Sequence, residues 1–93
     1  MIILVIYDIS EDDIRNDVAN ILKQYGFKRI QKSAFIGKLP SHLLKDLEIK
    51  LRKTMKNAHG NIQIFKLSRR QYVSRIEIGQ QTNIEHENVI SIL

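Results

Sequence analysis

The stretch "IILVIYDIS", residues 2–10, constrains the fold more than any other part of the chain. Ile2 to Tyr7 form an unbroken apolar or aromatic run, too short to span a membrane and rich in β-branched side chains, so it reads as a buried strand. Successive strand residues point to opposite faces, which sets Ile3 and Val5 on one side and Ile2, Leu4 and Ile6 on the other. A strand apolar on both faces belongs inside a sheet that is covered on both sides. Asp8 ends the run, and a carboxylate there is costly to desolvate unless something pairs with it.

Two helical patterns provide cover for one side. In "DISEDDIRNDVANILKQYGFK", Ile14, Val18, Ile21, Leu22 and Tyr25 share one helical face. Ser10 is the expected N-cap, with Asp13 three residues on, and Gly26 is the expected stop. The acidic first turn suits the positive end of the helix dipole, which accounts for Asp12 and Asp13 without a metal. A second helix is expected from Pro40–Ser41, with Leu44, Leu47, Leu51 and Met55 on its apolar stripe, ending before "NAHGN". Between the helices, "FKRIQKSAFIGKL" reads as β, either one long strand or a hairpin bending around Gln31 to Ser33. "NIQIFKL", "QYVSRIEIG" and "VISIL" read as later strands.

This order predicts an α+β fold, a ferredoxin-like βαββαβ sandwich with an extra C-terminal strand and two helices on one face of an antiparallel sheet. Residues 1–78 form the domain and 79–93 an extension. Two helices cover one sheet face only, so the other face is expected to meet a second copy in a two-fold dimer.

Composition narrows the function. The absence of cysteine excludes a disulfide framework and thiolate metal sites. No basic region precedes the apolar run, so neither a signal peptide nor a membrane partner is expected, and a cytoplasmic protein is. Charge is uneven. Residues 1–22 hold one arginine against five carboxylates, whereas residues 23–75 hold fourteen Lys or Arg against two. A basic middle segment suits a polyanion, because Lys and Arg gain affinity by releasing counterions from phosphates. Lys45, Lys50, Arg52, Lys53 and Lys56 on the second helix, with Lys66, Arg69 and Arg70 after it, are the candidate contacts to a nucleic-acid backbone. The same charges also suit solvated helix faces.

Motifs for other chemistries are missing. His42, His59 and His86 have no metal-ligand spacing, and there is no glycine-rich phosphate loop or nucleophile elbow. Tyr25, Phe27 and Phe65 are expected in the core rather than as base-stacking platforms. Asp8 remains, at the tip of a central strand, where Mg²⁺ is often bound through one or two carboxylates and its own waters. An ordinary turn-forming aspartate fits the same position.

The combination of Tyr7-Asp8-Ile9, Arg15, Tyr25-Gly26, and Arg29, Gln31, Ser33 and Phe35 resembles the CRISPR-associated Cas-two family of small ferredoxin-like proteins. The resemblance covers residues 1 to about 67. It implies a homodimer in which Asp8 faces its copy and the pair holds one Mg²⁺ or Mn²⁺. It further implies phosphodiester hydrolysis on RNA or DNA, with Arg15 and Arg29 on the phosphate and Tyr7, Ser33 and Phe35 lining the cleft. The CRISPR integrase Cas-one is the implied partner, and "VISIL" is the implied dimer-linking strand. Some members carry a second arginine two residues after the first, where this chain has Asp17. The resemblance leaves open a metal-dependent endonuclease, a non-catalytic scaffold bridging integrase subunits on duplex DNA, and a toxin-type ribonuclease of the VapD group.

Overall fold

A computed structural model of the chain describes residues 1–80. The apolar N-terminal run is strand β1 (Ile2–Ile9), and it lies inside a four-stranded antiparallel sheet. Helix α1 (Asp12–Gln24) follows, then β2 (Lys28–Gln31) and β3 (Ala34–Lys38), helix α2 (Ser41–Thr54), β4 (Gly60–Leu67) and a short helix α3 (Arg69–Val73). The sheet order is β2-β3-β1-β4. The ferredoxin-like expectation holds, and the undecided segment resolves as a hairpin turning at Lys32–Ser33.

The helix periodicities predict the core correctly. Val18, Ala19 and Leu22 of α1 and Leu44, Leu47 and Leu51 of α2 are buried against Ile3, Val5, Tyr7 and Ile9 of β1. α1 ends in a two-bond C-terminal cap. The Gly26 N–H donates to Lys23 O and the Phe27 N–H to Leu22 O, both at 3.0 Å, around a Gly26 φ of 86° that favours glycine. Its start departs from expectation. Ser10 does not cap α1, because its N–H donates to His59 O at 2.9 Å and so stays with the sheet. Glu11 takes the N-cap position without a side-chain cap bond.

The largest correction concerns "QYVSRIEIG". It is not a strand: Arg69–Val73 is helical, and Ile76 and Ile78 stand 88% and 93% exposed. A capping box explains the helix. The Gln71 N–H donates to Ser68 Oγ at 3.1 Å, and the Ser68 N–H donates to Gln71 Oε1 at 2.8 Å. α3 then buries Tyr72 against Ile2 and Ile36, with Leu4, Ile30 and Leu67 around it. One end of the sheet face expected to await a second copy is therefore covered by the chain itself. The strand expected at "VISIL" lies outside the described residues.

Candidate functional site

The site residues gather at the C-terminal end of β1, on two different faces of the sheet. On the helix-covered face, Tyr7 and Phe35 stack with ring centroids 6.2 Å apart and planes inclined by 22°. Arg29 lies opposite Phe35 in the β2–β3 pairing and sets its guanidinium 4.7 Å from the Phe35 ring centroid. Its Nη1 also donates to Lys32 O, which braces the hairpin turn. Burial pushes the Tyr7 phenol above its ordinary pKa, and the charge and hydrogen bond of Arg29, together with Arg15, partly offset this. Arg15 donates to Ile9 O at 2.9 Å and pairs with Asp12.

Both arginines thus already serve structural partners. Phe35 is fully buried, so it forms the floor beneath Arg29 and Tyr7 rather than a cleft wall. Ser33 is half-buried in the turn, and its carbonyl accepts the Tyr7 N–H at 3.0 Å. Asp17 is exposed on α1.

Asp8 faces the other way. It follows Leu4 and Ile6 on the sheet face away from α1 and α2, and it is exposed. The exposed carboxylate therefore keeps contact with water, which eases the difficulty raised by its place at the end of a buried strand. β4 pairs with β1 so that Asn61 stands opposite Asp8 and Gln63 opposite Ile6. Asp8, Asn61 and Gln63 line one shallow depression with Ile6 and Tyr7. Phe65, expected in the core, is 40% exposed further along this face.

Two features fix this end of the sheet. Gly60 has φ 127°, and a Cβ there would lie 1.9 Å from Asp8 O, so only glycine lets β4 close against β1 at this point. Just before it, Glu11 accepts the His59 backbone N–H at 2.9 Å, and its Oε2 lies 2.7 Å from His59 Nδ1. The His59 side-chain bond, then its backbone bond, hold the Glu11 carboxyl below its ordinary value. The sequence pointed to none of Glu11, His59, Gly60 or Asn61, because their link to Asp8 arises from strand pairing across some fifty residues.

As oxygen donors, Asp8 and its neighbour Asn61 suit a hard cation. Among the described residues no three His, Cys, Asp or Glu side chains come together as a metal cluster. The basic side chains Lys45, Lys50, Arg52, Lys53, Lys56, Lys66, Arg69 and Arg70 are exposed. Arg52 pairs with Glu48 at 3.0 Å, and the Lys50 ammonium lies 5.8 Å from the Tyr25 ring centroid. Among the described residues no helix is long and apolar enough to cross a membrane.

Residues 1–75 match the family described as CRISPR associated protein Cas2. The chain belongs to that family. A CRISPR-associated endoribonuclease Cas2 of Pyrobaculum aerophilum is 48% identical over 79 residues, covering 85% of this chain and 87% of the relative. A Cas1/Cas2 endonuclease fusion of Thermoproteus tenax is 42% identical over 86 residues, which is 92% of this chain but 33% of the fusion. The fold matches that of the Cas2 structure from Streptococcus pyogenes with a TM-score of 0.68 at 19% identity, covering 85% of this chain and all of that one. The match to the Cas2 family reaches past residue 67, where the sequence motifs stop, through α3.

Proposed function

We propose that this Cas2-family protein is a divalent-metal-dependent endonuclease of CRISPR adaptation, cleaving phosphodiester bonds in RNA or DNA. The carrying observation is the exposed Asp8 carboxylate at the tip of a central strand, on the sheet face that α1 and α2 leave uncovered. A second copy packed on that face in a homodimer would bring two such carboxylates together. Mg²⁺ or Mn²⁺ held by the Asp8 carboxylates would supply an activated water and stabilise charge on the phosphate.

The protein's own part is to hold and orient. Asp8 supplies the fixed negative charge. Arg15 and Arg29 each present a planar fork of donors and are the candidates for holding a phosphate oxygen. The exposed lysines of α2 add sequence-independent attraction for the backbone. The endoribonuclease and endonuclease names of the relatives support the activity class, and the fusion supports Cas1 as a partner.

The same fusion, together with the structural duties of Arg15 and Arg29, favours a second reading as a scaffold that bridges integrase subunits on duplex DNA without cleaving it. Cleavage assays on single-stranded RNA and duplex DNA, with and without EDTA, separate the two. Cleavage abolished by EDTA and restored by Mg²⁺ or Mn²⁺ supports the nuclease. Salt-sensitive binding with no cleavage leaves the scaffold.

A further inference from the structure

Asn61 has the right chemistry and position for a role at Asp8 that the residue motifs do not indicate. The two stand directly opposite each other on neighbouring antiparallel strands, both exposed on the same face. Such cross-strand partners hold their Cβ atoms about 4.5–5.5 Å apart, close enough for a carboxylate oxygen and a carboxamide oxygen to reach one ion. The pairing is not left to chance. The close approach at Gly60 and the Glu11–His59 link both act at the residues just before Asn61, so β4 cannot slip without breaking them. Neither arginine near the strand tip takes Asp8 as its partner. Arg15 is paired with Asp12, and Arg29 braces Lys32.

A hard cation seeks several oxygen ligands, and one carboxylate per chain is a weak hold. We propose that Asn61 supplies a second protein oxygen to a divalent cation at Asp8, as a metal-ligating residue. The inference rests on the metal-dependent reading above. The side-chain carbonyl oxygen turns toward the ion, and the amide N–H₂ is left to donate to a phosphate oxygen or a metal-bound water. Gln63, two residues on and opposite Ile6, lies outside the direct pair.

The test uses Mn²⁺ alone as the probe, with free ion followed by electron paramagnetic resonance on the whole protein. Wild type, Asp8→Asn, Asn61→Ala and Asn61→Asp are compared, and melting temperature is measured with and without Mn²⁺. Asn61→Ala is expected to weaken Mn²⁺ binding about 10-fold or more while leaving the metal-free melting temperature unchanged. Asn61→Asp sets two carboxylates side by side, so it is expected to lower the metal-free melting temperature and to gain more from Mn²⁺ than wild type does. Wild-type affinity in Asn61→Ala, with binding lost in Asp8→Asn, overturns the role of Asn61 and leaves the metal site standing. Equal Mn²⁺ binding, or none, in wild type and Asp8→Asn overturns the metal reading itself and this inference with it.

Discussion

The two faces of the sheet differ in what their polar groups are doing. On the helix-covered face, Arg15, Arg29 and Tyr7 are tied to backbone carbonyls, to Asp12 or to the Phe35 ring, and the residues between them are buried. On the other face, Asp8, Asn61 and Gln63 stand exposed and line a depression, and among the described residues Tyr72 of α3 covers the far end. A polar group already committed to the fold contributes mainly stability, whereas an exposed and positioned one is available to a ligand. Chemistry is therefore expected to follow Asp8, and stability to follow Phe35 and Tyr7.

Substitutions sharpen this contrast. Phe35→Ala removes the floor beneath Arg29 and Tyr7 and is expected to cost about 3–5 kcal/mol, read by denaturant unfolding. A loss under 1 kcal/mol would mean that this face is not the packed one. Tyr72→Ala uncovers Ile2 and Ile36 on the opposite face and is expected to cost about 2–3 kcal/mol. It should also increase binding of an apolar dye, and unchanged dye binding would mean that α3 is not the cover.

The smallest effect is in pH dependence. Glu11 has a lowered pKa in the folded protein, so the stability it contributes is present above its unfolded value and is lost as pH falls through the folded one. Glu11→Gln should therefore lower stability slightly near neutrality and flatten the acid limb below about pH 4.5, so that the two proteins converge at low pH. An identical acid limb in both proteins would mean that the His59 link contributes nothing to the fold.

Legibility in the sequence followed the range of the interaction. β1, α1 and α2 were readable because periods of 2 and 3.6 are local, and Leu44, Leu47 and Leu51 fall where their stripe requires. The hairpin was not settled, since "IQKSA" carries neither glycine nor asparagine to mark a turn, and its bulge between Arg29 and Gln31 is invisible locally. "QYVSRIEIG" alternates like a strand yet begins as a helix, because Ser68 and Gln71 have the capping-box spacing that starts α3. Phe65 was misplaced for a related reason: its side of β4 is set by pairing with Leu4, on the face the helices do not reach. The residues of the site were named by motif, but their division between two faces follows only from strand parity and register. Strand parity continued past Ile6 sets Asp8 and Tyr7 on opposite faces.

The most direct test of that division is Asp8→Asn, purified in parallel with wild type and assayed for both cleavage rate and melting temperature. The substitution keeps size and hydrogen bonding while removing the charge a hard cation needs. Because Asp8 is exposed, stability is expected to change by less than about 0.5 kcal/mol, while metal-dependent cleavage falls by several orders of magnitude. Equal cleavage by the two proteins, or a collapse of stability in the variant, would contradict the account.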